Sequence, residues 1–571
     1  MHDLILTNGL ICDGTGSPPM HGSVAIDKGK IKAVAPQTDA VQSTPLGEAR
    51  ETIDVGGAAI APGFIDPHTH FDAQLTWDGM AKPSLEHGVT TIIPGNCSLS
   101  LAPLKREHRE FLGAVFRQIE EMPKSAFDAG LRWTWESFGE YVETIQPELG
   151  LNVAPLVGHS LLRLWVLGYE SRERPSTAEE VRSLCDLLRE SLDGGALGMS
   201  TSFSDIDHEF RPVPCRLGTL EELHALAAVL GERDRPLQVL PEFWDADLLC
   251  TRIDLLADLS LRHQIPVTFS PLFESASTPH LVERVIERLE LHAARGARLT
   301  AQMQTRPVDM TFDLSIPSAV FTAMPTWVGT LMQGPDAIRK AFSDSATRAV
   351  LAAETETDQM PLALSFHLAD TRLSAATGES RDDVGRTLRE IAAERGQHPA
   401  EVLMDISLQE NLSARFTATN LGHADEKKIG PTLDHPQIQI GSGDGGAHVA
   451  RFATYGDTGH LFSRFVREHG ALPLERAVQR LTSDIANAWG LRDKGQIASG
   501  YDADLVVFDP DTIDRGPEEL AFDLPDNGES FRFIRRAQGI QHVFVGGASA
   551  YSEADGYSNA RRGQIAEGGK A

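Results

Sequence analysis

Eight short apolar runs recur between residues 63 and 448, and they limit the fold of this chain more than any other feature. They are "GFID" at 63, "GVTTIIPGNC" at 88, "NVAPLVGHS" at 152, "GALGMSTSF" at 195, "PLQVLPEF" at 236, "IPVTFSPLF" at 265, "RLTAQMQTRP" at 298 and "IQIGSGDGGAH" at 438. Each is long enough for one buried strand. Between them lie helix-like stretches such as "TAEEVRSLCDLLRESLDGG" and "TLEELHALAAVLGERD", each opened by a threonine with a glutamate three residues on, the sign of a capping box. Strand and helix in alternation imply parallel strands joined by right-handed crossovers. Eight such units predict an α/β fold, a TIM-like (β/α)8 barrel. A doubly wound open sheet is the competing architecture, but no GxGxxG follows the first strand and no Walker sequence occurs. The gap between the seventh and eighth runs, about 308–437, exceeds one helix and is expected to form a lid or pocket wall.

The flanks have another texture. Residues 1–62 and the stretch from about 485 to 571 carry short alternating runs, "DLILTNGLIC", "ETIDVGGAAIAP", "GYDADLVVFDP" and "IQHVFVGGASAYSEADG", broken by Gly, Pro and Asp. Neither flank is large enough to bury a core by itself. The expectation is a small β-sandwich domain built from both chain ends (1–62 plus 485–571), with the barrel (63–484) inserted between them.

Composition narrows the class of function. A formal net charge of −29 lacks the basic footprint of a nucleic-acid binder and offers nothing to an anionic membrane. The five cysteines are odd in number and without a CxxC, which points away from a disulfide framework and toward a reducing compartment. No basic leader or membrane-length apolar segment is present, so a cytoplasmic protein acting on a small molecule is expected, with homo-oligomerisation left open.

Barrel enzymes place their chemistry at the carboxyl ends of the strands, so the polar residues there carry the argument. His68 and His70 follow the first run, two residues apart and therefore able to face one ion. Cys97 closes the second run, His159 the third and Asp444 the eighth. Singly, each has a bland reading: Cys97 as a small buried hydrophobe, His159 as a satisfied core histidine, Asp444 as a turn residue. Together on one rim, nitrogen, sulfur and carboxylate donors make a site for a borderline metal, zinc above all.

The stretches "APGFIDPHTHFD", "HGVTTIIPGNCSLSLAP", "VGHSLLR", "GALGMSTSF", "GDGGAH" and "LTSDIANAWGLRDKGQIASGYDADLVVFD" resemble the amidohydrolase superfamily, and within it the D-aminoacylase group of N-acyl-D-amino-acid deacylases. The resemblance spans nearly the whole chain. It implies a metal-dependent hydrolase acting on C–N bonds of N-acyl amino acids, with Asp444 as both metal ligand and proton shuttle. It also implies that an arginine on the loop after strand eight holds the substrate carboxylate; Arg451 is the nearest match, with His448 beside it.

The departures from the family pattern are specific. Many binuclear members use a carboxylated lysine on strand four, yet no lysine occurs from residue 125 through 339. D-aminoacylases carry further histidine ligands near the ends of strands five and six, where this chain has "QVLPEF" and "TFSPLF". His224, His263 and His280 could replace them only if the strand registers differ from those read here. The surviving set is His68, His70 and Asp444 with Cys97, for one zinc per chain, and Glu242 at the strand-five end is a pocket-lining or substrate-binding residue. Asp444 is expected to move the proton from water to the leaving nitrogen and His159 to steady the oxyanion. Cys97 as nucleophile would need a neighbouring base. Two alternatives stand beside the hydrolase: a decarboxylase, lyase or isomerase on the same scaffold, and a catalytically inactive binding protein, which would have no need of the metal ligands.

Overall fold

In a computed structural model of the chain, residues 1–37, 46–315, 318–321, 323–356, 366–441 and 443–569 are described. Each of the eight apolar runs contains a parallel strand: β1 (Phe64–Asp66), β2 (Val89–Ile92), β3 (Leu156–Gly158), β4 (Gly198–Ser202), β5 (Leu237–Leu240), β6 (Val267–Phe269), β7 (Leu299–Met303) and β8 (Ile438–Ile440). Nearly every residue in them is buried, as expected for parallel strands covered on both faces.

The strands fall into two parallel sheets. One joins β1, β2 and the short strand Asn152–Val153; the other runs from β3 through β8 in chain order. Backbone bonds from Ala154 N to Ile92 O and from Leu156 N to Pro94 O, each 2.9 Å, tie the first sheet to the second. At the opposite limit, Thr69 just after β1 bridges Gly445 just after β8 in parallel.

Helices separate the strands, and four of them bear on the site: α1 (Arg109–Glu120), α2 (His159–Leu167), α3 (Ala178–Asp193) and α4 (Leu220–Glu232). Thr177 and Glu180 form the expected capping box at α3. At α4 only half of it exists. Thr219 accepts from the Glu222 backbone, but the Glu222 carboxylate turns inward, for a reason given below.

Strands from both chain ends form one nine-stranded sheet. His2–Ile11 pairs on one side with Met20–Asp27 and on the other with Ala49–Asp54 and then Ala59–Pro62, whose further neighbour is Leu505–Phe508. The pairing with Met20–Asp27 carries a register shift between Leu6 and Gly9. Thus a continuous hydrogen-bonded sheet stands where two facing sheets were expected, and the hairpin Asp514–Ala521/Arg532–Gln538 is separate from it. The helix Ser483–Trp489 crosses the expected boundary at 485 and packs with Ile65, Ile93, Leu156 and Leu197 under the strands.

The segment between β7 and β8 is more than a loop. Val308–Phe312, Arg372–Ala375 and Arg415–Gly422 make an antiparallel sheet. Phe321, Trp327, Phe342, Leu403 and Phe416 give it a hydrophobic core of its own. It touches the strand-end loops through Thr311 N to Arg451 O (2.9 Å) and His423 N to Glu274 O (2.8 Å). Among the described residues, no helix is long and apolar enough to cross a membrane.

Candidate metal centre

Backbone pairing between the ends of β1 and β8 builds the site. His70 N donates to Gly445 O at 2.8 Å, which sets Asp444 beside the two histidines. Gly446 makes this approach possible: at φ +93, a Cβ there would lie 3.0 Å from the His70 carbonyl carbon. Cys97 arrives from the turn after β2, where its N–H donates to the Gln238 side chain of β5 (2.8 Å), and the next N–H, of Ser98, donates to Ser200 Oγ of β4 (2.9 Å). Cys97, Ser98, Asp444 and His448 all have positive φ between 51° and 66°. Non-glycine residues in this region cost about 1–3 kcal/mol each and persist where surrounding contacts fix them, as these do.

The donor atoms converge. His68 Nε2 lies 3.5 Å from Cys97 Sγ and 3.2 Å from Asp444 Oδ1, and His70 Nε2 lies 3.8 Å from the same oxygen. The ligand atoms of His68, His70 and Cys97 all fall within 4.8 Å of one another. Around a tetrahedral zinc, with Zn–N near 2.0–2.1 Å and Zn–S near 2.3 Å, neighbouring donors stand about 3.3–3.6 Å apart. The residues present therefore fit a borderline cation in both donor type and spacing.

Both imidazoles are held from behind. His68 Nδ1 bonds to Gln302 Oε1 of β7 at 2.8 Å, and His70 Nδ1 lies 3.0 Å from Glu120 Oε1 at the end of α1. His68 Nδ1 faces the Gln302 acceptor and so carries the proton, leaving its Nε2 lone pair toward Cys97 and Asp444, while His70 Nδ1 stands at ion-pair distance from Glu120 without a regular hydrogen bond. Burial would raise the Asp444 carboxyl, but the His68 hydrogen bond and the charges of His68, His70 and His448 hold it far below the usual carboxylate range. Burial opposes charge on His68, while Cys97 and Asp444 push it up to about 10. Protons and a metal compete for these donors.

The other expected residues lie elsewhere in the network. His159 is buried with both ring nitrogens engaged, Nδ1 to Thr201 Oγ1 (3.0 Å) and Nε2 to Glu222 Oε1 (2.7 Å), so an oxyanion contact would require it to leave one of them. Glu222 is also gripped by Arg163 at 2.6 and 2.8 Å, which is why it abandons the α4 cap. Glu242 pairs with Arg252 (2.6 Å). Arg451 is neither a loose surface residue nor free: its Nε donates to Glu121 Oε1 (2.8 Å), and His448 Nδ1 lies 3.5 Å from the other Glu121 oxygen. His224 and His263 face each other at 3.0 Å across α4 and the helix Ala246–His263, and His280 caps Leu281–Ala293, so none replaces a ligand at the ends of β5 or β6.

Sequence reasoning missed Glu120, Gln238 and Gln302. Glu120 had a signal: it lies four residues after Phe116 on the buried stripe of α1, where a charged residue needs a partner.

Known proteins share the sequence pattern and fold of this chain. The sequence model of the amidohydrolase family matches residues 51–551. A D-aminoacylase of Alcaligenes xylosoxydans xylosoxydans is 28% identical over 96% of this chain and 95% of its own length. Among solved structures, a D-aminoacylase studied for its binuclear metal centre, with one-metal activation and second-metal attenuation, aligns with a TM-score of 0.66 at 24% identity, covering 99% of this chain and 100% of that one. An N-acyl-D-glutamate deacylase from Bordetella bronchiseptica, complexed with zinc and a phosphonate inhibitor, aligns with a TM-score of 0.64 at 23% identity over 99% of both chains.

Proposed function

The chain belongs to the amidohydrolase family, and from that premise we propose that it is a zinc-dependent hydrolase cleaving the C–N bond of an N-acyl amino acid. We take the eight parallel strands as a (β/α)8 barrel with the site at their carboxyl ends. The observation that carries the reading is the tetrahedral spacing of His68 Nε2, Cys97 Sγ and Asp444 Oδ1. A divalent metal in that position supplies Lewis acidity, which polarises a carbonyl and lowers the pKa of water to about 7. Asp444 takes the proton from the attacking water and delivers it to the departing nitrogen. His68 and His70 hold their lone pairs in place through Gln302 and Glu120. Five free cysteines support a reducing, cytoplasmic setting.

One metal per chain follows from the ligand supply. A second ion would want three or four further protein donors, and the ends of β5 and β6 offer Glu242, already paired with Arg252, and no histidine. Metal analysis of the purified protein is expected to give close to one zinc per chain; two tightly held ions would overturn the count. Release of free amine and carboxylate from a panel of N-acyl D- and L-amino acids, with cyclic imides included, tests the reaction itself.

The loop after β8 supports a carboxylate-bearing substrate. Burial lowers His448, but its bond to Glu121 and the charges of Glu121, Glu120 and Asp444 lift it to about 9. Two cations on the loop that also carries Asp444, His448 and Arg451, thus meet at the Glu121 carboxylate. Arg451→Ala is expected to lower kcat/KM for carboxylate-bearing substrates by roughly 10- to 100-fold, chiefly through KM. Neutral analogues should change little; equal losses on both would make the residue structural.

A further inference from the structure

The carboxylate of Glu120 is nearly sealed from solvent, with 1% of the residue exposed. Neither oxygen accepts a regular hydrogen bond, and its close partner is His70 Nδ1 at 3.0 Å. Burying a carboxylate without full hydrogen bonding is costly unless a positive charge compensates it. The surroundings add more of the same sign. Asp205 is half-buried with its sealed Oδ2 unpartnered, Asp72 is buried with Oδ1 unpartnered, and both lie close enough to His70 to feel its charge. Among the described residues, no lysine or arginine pairs with Glu120. Its position at the last turn of α1 also sets it among carbonyl ends that favour a cation.

We propose that Glu120 is a positioning residue of the metal centre, which fixes the Nδ1–H form of His70 and contributes buried negative charge that a bound cation balances. This rests on the reading of His68, His70, Cys97 and Asp444 as metal donors. Gln302 performs only half of the task, because it orients His68 without charge. Helix α1 is thereby part of the metal centre, although it contributes no ligand. Asp205 and Asp72 lie near the same carboxylate, so a bound cation would meet acidic groups beyond its own ligands.

Glu120→Gln keeps the side-chain shape and an acceptor oxygen while removing the charge. Zinc alone, titrated into chelator-stripped full-length protein against a chromophoric competitor, is expected to bind the variant about 10- to 100-fold more weakly than the wild type. The metal-free variant is expected to stay folded, checked by circular dichroism before titration. Affinity within twofold of wild type in a folded variant would overturn the proposal. Glu120→Asp, which restores the charge on a shorter arm, is expected to recover part of the affinity. Failure of the wild type itself to bind zinc would refute the metal-centre reading as well, a result distinct from a normal wild type with an unaffected variant.

Discussion

Asp444→Asn is expected to lower turnover by about 10² to 10⁴, the usual range for loss of a general acid–base group. The substitution isolates the chemistry from the fold. Asp444 sits at φ +57, and asparagine tolerates that left-handed conformation as well as aspartate does, so the turn after β8 should survive. The amide oxygen can still approach His68 Nε2, but the side chain can no longer take a proton from water and return it to nitrogen. Steady-state kinetics on zinc-loaded protein, with the metal content measured in parallel, checks the result. Near-normal turnover at full zinc content would move the proton shuttle to another residue.

A second large effect is expected away from the metal. Replacing Glu222 with alanine leaves the Arg163 guanidinium buried without its counter-charge and removes the acceptor of His159 Nε2. Breaking a buried pair by deleting one partner costs about 3–5 kcal/mol, which chemical denaturation would reveal directly. The pH dependence has a defined sign. Burial raises the Glu222 carboxyl, but the His159 hydrogen bond and the charges of His159 and Arg163 bring it down to about 2. A glutamate in the unfolded chain titrates near 4.3. Its contribution is therefore complete above that value and fades as pH falls toward 2. The stability gap between wild type and Glu222→Gln should hold from pH 8 to 5 and close below it; a gap that persists at pH 2 would exclude the ionised carboxylate as its source.

What could be read from the sequence follows from which forces are local. Strands buried on both faces are largely uncharged and rich in apolar residues, so β1 to β8 fall within short apolar runs, and the four candidate metal donors stand out as polar residues at or just past the ends of such runs. Glu222 illustrates the opposite case. Its spacing from Thr219 satisfies the rule for a helix cap, yet Arg163 and His159 offer a stronger, buried partnership that depends on how α2 meets α4. Arg451 is paired with a glutamate 330 positions earlier in the chain, a contact no local pattern encodes. The long excursion before β8 showed its length but not its own core, since the aromatic residues that fill it come from separate segments.

The pairing of Ala59–Pro62 with Leu505–Phe508 has a consequence for biosynthesis. The two strands are separated by almost the entire chain, so the first leaves the ribosome long before its neighbour exists. At about 5–20 residues per second, the wait is roughly 20 to 90 s. Throughout that interval, the early strands present an unpaired edge, open to association with other nascent chains. Completion of the sheet waits on synthesis of Leu505–Phe508, and a holdase that shields the early strands during elongation would raise the yield of folded protein.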